Sequence, residues 1–194
     1  MTIVVCLAVT VVFVSCKKEK TGKGSGNVVS QERTASGFYG IRMDGVAEVN
    51  VYTGENYRVV VTTDDNLQDV VFTEVMNNVL HINERVQISF EPTKLIVDVY
   101  LPELKSIDLQ GVGNVKLSNG SASDFKITLS GVGNIDAQNY QVENITITHS
   151  GVGNAKIWVT GSLKGSISGV GNVYYKGNPT MGVNVSGVGG VMKL

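Results

Sequence analysis

Gly-Val-Gly-Asn stands at four places in this 194-residue chain, and a frayed fifth copy, Gly-Val-Gly-Gly, follows them. The copies begin at Gly111, Gly131, Gly151, Gly169 and Gly187, at intervals of 20, 20, 18 and 18 residues. Recurrence at a near-constant interval marks stacked structural repeats. A phosphate-binding glycine loop is a different object: it occurs once, between a strand and a helix, and G-x-G-x-x-G needs a third glycine. Those positions hold Lys116, Asp136, Lys156 and Tyr174, and no helical periodicity follows. The nucleotide reading is excluded.

Apolar and polar residues alternate on both sides of each copy. Four residues before the first glycine stand Ile107, Ile127, Ile147, Gly165 and Val183, and two before it Leu109, Leu129, His149, Ile167 and Val185. Four residues after it come Val115, Ile135, Ala155, Val173 and Val191. Period-two alternation around a glycine pair predicts strand, turn, strand, with this series facing inward and the residues between them facing water. One such unit cannot bury its apolar face alone, so successive units stack and cover one another. Like residues then form columns. One is Val112, Val132, Val152, Val170 and Val188. The other is a structural corner of Gly111 with Asn114, Gly131 with Asn134, Gly151 with Asn154, and Gly169 with Asn172. Glycine admits positive φ at such a corner, and stacked asparagine amides hydrogen-bond from unit to unit. The expected fold class is all-β, a parallel β-helix or β-solenoid with rungs of about 18–22 residues. Ahead of it, Asp44-Gly45-Val46-Ala47-Glu48-Val49 keeps the same grammar with an overwritten corner. Alternating runs over 57–63, 70–76, 79–83 and 94–101 are read as irregular rungs of the same helix. The division is thus 28–110 for irregular rungs and 111–194 for regular ones.

The first residues are read apart from the fold. Ile3 to Val14 is an almost unbroken apolar run that ends in Ser15-Cys16. That is too short for a membrane span and suits a signal segment. Ser15-Cys16 resembles a lipobox, which predicts a lipoprotein signal peptide over 1–15 and lipidation of Cys16. Residues 16–27, rich in Lys and Gly, are read as a flexible tether. With Cys6 lost and Cys16 acylated, no thiol remains for a disulfide, a metal or a nucleophile. A formal net charge of −1 offers no field for nucleic acid. No metal site and no cofactor are expected: His81 has no second His or Cys near it in sequence, and His149 sits in an apolar column. No catalytic residue is expected either, since no Ser/His/Asp signature appears. Two alternatives stand beside a binding role: a purely structural envelope component, and a β-helix enzyme that cleaves acidic polysaccharides. It needs carboxylates converging on one face, whereas Asp108, Asp136 and Glu143 fall in different columns.

The candidate ligand face is the outward row Lys116, Asp136, Lys156 and Tyr174, with Trp158 and Tyr175 close by. Rings among hydrogen-bonding side chains suit a sugar, whose ring face is apolar and whose rim is polar. A second reading has Tyr175 pointing inward as core. The C-terminal stretch from Val188 to Leu194 still alternates, so its edge is expected to be covered by a second copy of the chain.

Two sets of residues carry a family resemblance. One is Phe38-Tyr39-Gly40-Ile41, Gly45 to Val49, Val59 to Leu67 and Asn78 to Ile82; the other is the Ser-Gly-Val-Gly-Asn series. Together they resemble the "putative auto-transporter adhesin, head GIN domain" family over about residues 36 to 194. The resemblance implies a right-handed single-stranded β-helix in an envelope lipoprotein. It also implies an adhesin-like role and no catalytic residues to carry over; with the outward row, a glycan or an envelope protein is the expected partner. Lipidation is directly testable: Cys16→Ala should move the protein from the membrane fraction into the soluble one. Equal membrane association of variant and parent would exclude the anchor.

Overall fold

The computed structural model describes residues 22–84 and 90–194. The expected signal segment and the expected lipidation at Cys16 therefore lie outside the described residues. The strands are β1 (Gly22–Lys23), β2 (Val28–Arg33), β3 (Gly40–Met43), β4 (Val46–Thr53) and β5 (Arg58–Asp64). After a 3-10 turn at Asp65–Leu67 come β6 (Val71–Met76), β7 (Val79–Glu84), β8 (Phe90–Glu91) and β9 (Ile96–Leu101). Then follow β10 (Ser106–Leu109), β11 (Val112–Leu117), β12 (Gly120–Leu129), β13 (Val132–His149) and β14 (Ala155–Ile167). The last three are β15 (Val173–Lys176), β16 (Thr180–Val185) and β17 (Val191–Lys193).

These strands correct the expected fold class. The chain is not a right-handed parallel β-helix. It is an all-β protein with a nearly closed, barrel-like sheet of mixed strand orientation. Fifteen strands form one sheet, whose main path runs β2-β5-β9-β4-β11-β13-β12-β10-β3-β7-β6. Strand β5 runs antiparallel to both β2 and β9, and β6 is antiparallel to β7. The alternating runs over 57–63, 70–76 and 79–83, read as irregular rungs, thus fold back on their neighbours. Asn77 and Asn78 turn β6 into β7 with φ of 51° and 62°, a left-handed pair that suits a tight hairpin.

The Gly-Val-Gly-Asn copies enter this sheet in parallel register. Ile107 pairs with Ile127 and Ile127 with Ile147, while Val115 pairs with Ile135 and Ile135 with Ala155. The long strands β13 and β14 belong to two ladders: the first part of β13 pairs with β11 and its last part with β12. They carry the sheet round the core. Ile107, Leu109, Val115, Ile127, Leu129, Ile135, Ile147 and Val173 are all buried, with Phe125 and Tyr140 beside them. The valines of the repeat face out instead: Val112, Val132, Val152 and Val170 are each 48–50% exposed, and Val188 is 70% exposed.

Positive φ falls on the second glycine of each copy, at Gly113, Gly133, Gly153, Gly171 and Gly189. The first glycine is required for a different reason. A Cβ on Gly151 would overlap the carbonyl oxygen of Gly131, and one on Gly153 would overlap that of Gly133.

The last residues assigned to the tether are held by the fold. Gly22 and Lys23 pair with Phe90 and Glu91. The buried Asp64 carboxylate accepts from the amides of Gly26 (2.8 Å) and Thr93 (2.7 Å). Asp65 accepts from Ser25 Oγ at 2.6 Å and from Asn27 Nδ2 at 2.9 Å. Burial pushes the Asp64 carboxyl up, but hydrogen bonds from Thr93 and Gly26 outweigh it and leave it below its ordinary value. Hydrogen bonds from Ser25 and Asn27 lower Asp65 as well.

Two predictions follow from these contacts. Gly153→Ala combines a strained φ with a backbone clash and should cost about 1–3 kcal/mol or more in thermal unfolding. Gly190→Ala meets nothing within 4 Å and should leave the melting temperature unchanged. Because Asp64 and Asp65 have folded pKa values below their unfolded ones, their stabilisation is complete at neutral pH. It is lost as pH falls below about 4. An Asp64→Asn/Asp65→Asn variant should show a flatter acid limb in a pH–melting curve than the parent.

Candidate functional site

The fixed offset between repeats builds the outward row. Lys116 pairs with Asp136, Asp136 with Lys156, Lys156 with Tyr174, and Tyr174 with Met192. Asn50 extends the row on the other side of Lys116, and Asp98 stands beyond it. Asn50 Nδ2 donates to Asp98 Oδ1 at 2.9 Å. Lys116 and Lys156 are exposed, and Asp136 and Tyr174 half-buried. Asp136 accepts from the amide N and from Nε2 of Gln138 at 3.2 and 3.1 Å, which fixes that side chain beside the row. Lys116 makes no ion pair among the described residues.

The two aromatic neighbours part company. Tyr175 pairs with Ile157 and packs against the core. Trp158 stays on the outward side, but the ammonium of Lys176 lies 3.7 Å from its ring centroid. That ring face is covered by a cation–π contact. An aromatic cluster that the repeat does not announce stands at the other end of the same face. Tyr52 and Tyr100 stack with centroids 4.6 Å apart and planes 15° apart, and the Arg58 guanidinium lies 3.9 Å over Tyr100. Burial, then the charge of Asp98 and the neighbouring Tyr100, raises the Tyr52 phenol above its ordinary value.

Beside the row runs the asparagine corner. Asn114 Oδ1 accepts from the amide N of Asn134 at 3.0 Å, Asn134 Oδ1 from Asn154 at 3.0 Å, and Asn154 Oδ1 from Asn172 at 2.9 Å. Asn172 Oδ1 takes the amide of Gly190 at 3.0 Å, and Asn114 Nδ2 is anchored on Glu48 Oε1 at 2.7 Å. The layer-to-layer bonds run from main-chain amide to side-chain oxygen, and Asn134 Nδ2 also donates to Asn114 Oδ1 at 2.9 Å. Gly111, Gly131, Gly151 and Gly169 sit at the same corner, each stacked over the backbone of the preceding layer.

His149 is fully buried between Leu129 and Ile167. Its Nε2 lies 2.7 Å from the Gly153 carbonyl and so carries the proton, while Nδ1 is buried without a partner. His81 lies 3.9 Å from Asp44 in a cluster with Arg42, Asp108 and Gln110. Among the described residues no three His, Cys, Asp or Glu come together as metal ligands. Of the three carboxylates named above, Asp108 belongs to the Arg42 cluster and Asp136 to the outward row. Glu143 lines an open polar groove with Glu103, Ser121, Gln141 and Thr160. Sequence periodicity does not reveal that groove, because Glu103 lies outside the repeat.

A profile of the "Putative auto-transporter adhesin, head GIN domain" family matches residues 37–120 and 108–179. The chain belongs to this family. No curated protein matches it. Among solved structures it is similar to a "putative adhesin" from Bacteroides fragilis NCTC 9343, at 21% identity and a TM-score of 0.60, covering 89% of this chain and 99% of that one. It is also similar to a "putative lipid binding protein" from Parabacteroides distasonis ATCC 8503, at 20% identity and a TM-score of 0.50, covering 89% and 98%. These likenesses show a shared fold.

The buried histidine yields a prediction. His149→Leu removes an unpartnered nitrogen and one hydrogen bond together, and should change stability by less than about 1 kcal/mol. His149→Ala leaves a cavity and should cost about 2–4 kcal/mol. Stoichiometric zinc in the purified protein, lost in His149→Leu, would overturn the structural role.

Proposed function

We propose that this protein is an adhesin-like component of the cell envelope, held by a lipid on Cys16, whose outward row of side chains binds glycan or protein partners. The observation that carries the reading is the register of Lys116, Asp136, Lys156 and Tyr174 on one face. Layers about 4.8 Å apart present cation, anion, cation and phenol in line, a spacing that repeated hydrogen-bonding groups of a polymer can follow. Family membership supports the adhesin-like role, and the Ser15-Cys16 sequence supports the anchor. The same row offers donors and acceptors suited to binding, and Glu103 and Glu143, which line one open groove, lie outside it. Several weak sites on neighbouring copies would act together through avidity.

Glycan-array binding by the intact protein tests this reading, with turnover of uronate polymers as the enzyme control. Lys116→Ala/Lys156→Ala should lower array binding by about tenfold with an unchanged melting temperature. Hydrolysis or elimination products from a uronate polymer, or array binding that ignores both lysines, would count against it.

A further inference from the structure

The stack formed by Arg58, Tyr100 and Tyr52 stops abruptly. Tyr100 covers one face of the Tyr52 ring, and Arg58 covers the far face of Tyr100. The opposite face of Tyr52 is turned toward the next strand of the sheet. There Leu117 pairs with Val51 and the amide of Ser118 donates to the Val51 carbonyl at 2.8 Å. Ser118 therefore stands opposite Tyr52, and it is too small to cover a phenol ring. One strand further on, beyond the Lys116–Asp136 pair, comes Gln138, pinned by its two bonds to Asp136. Two strand spacings, about 9.6 Å, separate the level of Tyr52 from that of Gln138, with only a serine between. The result is a niche with an aromatic floor, an amide opposite, and Lys116 and Asp136 along one side.

We infer that this niche is a saccharide subsite, in which one pyranose ring lies flat on Tyr52 and its hydroxyls reach Ser118, Gln138, Asp136 and Lys116. The chemistry favours a sugar over other ring ligands. A pyranose offers a C–H face to the phenol and a rim of groups that both donate and accept. The niche supplies a donor in Lys116, an acceptor in Asp136, and both in Ser118 and Gln138. A flat aromatic ligand would want apolar walls, and a cation would meet Lys116 where Arg58 already satisfies the stack. The aromatic partner of the outward row is then Tyr52, whose second face looks toward Ser118; Trp158 lends one of its faces to Lys176 and stands across from Gln141. The inference rests on the glycan reading of the outward row and places its first sugar.

The test is a chemical-shift titration of the intact protein with methyl β-glucoside, methyl β-galactoside, N-acetylglucosamine and glucuronate, read on the Tyr52 ring resonances. At least one sugar should give saturable shifts at Tyr52. Ser118→Leu, which fills the niche and leaves the ring in place, should weaken that sugar by about tenfold. Tyr52→Leu should do the same, and Trp158→Phe should not. Unshifted Tyr52 resonances with all four sugars would overturn the subsite, as would undiminished binding in Ser118→Leu and Tyr52→Leu. Array binding that survives both variants would sink the niche and leave the adhesin-like reading standing. Saturable shifts at Tyr52 in a protein that binds no array glycan would keep the niche and sink surface attachment.

Discussion

The close approach of one backbone to the next at the glycine corners is the contact on which the repeated half depends. At each corner the amide of one valine donates to the glycine carbonyl of the layer before, as in Val132 to Gly111, Val152 to Gly131 and Val170 to Gly151 at 2.9 Å. No side chain fits between these backbones. Because the corner spacing equals the strand spacing, both flanking strands enter parallel ladders at the corner, and the β13–β14 ladder shifts register away from it, between Ala137 and Gln141 and between Val142 and Asn144. The asparagine chain from Glu48 to Gly190 then satisfies the amides that the bend exposes, one side chain per layer. Stack, register and the alignment of surface rows follow from that one constraint.

The same constraint explains which parts of the structure could be read in the sequence. Between residues 107 and 192 the corners repeat one geometry, so an offset of 20 or 18 residues names the neighbour of most side chains; Gln141 and Val142, which pair with Trp158 and Val159, depart from it. The row of Lys116, Asp136, Lys156 and Tyr174 was legible for that reason. Before Gly111 no interval repeats, and alternation of apolar and polar residues is the same in parallel and antiparallel strands. Strands β5, β6 and β7 therefore looked like rungs, but β5 runs antiparallel to β2 and β9 and β6 antiparallel to β7, which is itself parallel to β3; the antiparallel pairs turn the expected helix into a mixed, nearly closed sheet. Asn77-Asn78 was the local sign of a hairpin. The positive φ was assigned to the corner as a whole, yet it resides on the second glycine; the first is set by contact with the layer beneath.

The candidate site divides along the same line. Its charged row lies in the repeat and could be named residue by residue. Its aromatic floor joins Tyr52 to Tyr100, 48 positions apart, in a region without a fixed interval. Trp158 was visible as an exposed aromatic, and its cover, Lys176, stands one 18-residue interval on. His149, fitted among leucine and isoleucine, keeps its place by sharing one proton with the Gly153 carbonyl, so a polar ring serves the corner from inside the core.

Each asparagine carbonyl offers the next layer what it received from the one before, so the layers are interchangeable parts. Excision of residues 131 to 150 would bring Gly151 onto Gly111 and Asn154 onto Asn114, and remake the glycine and asparagine contacts with identical groups, while Leu129 would replace His149 and its bond to Gly153. A family built this way can change the length of its surface row by duplication or loss of whole layers. Loss of the 131–150 layer would also remove Tyr140, whose hydroxyl donates to the Leu104 carbonyl at 2.9 Å, so the layers differ in what they tie to the flanking region. The length of the outward row is thus a quantity that changes in steps of one layer, each step taking its share of the core with it.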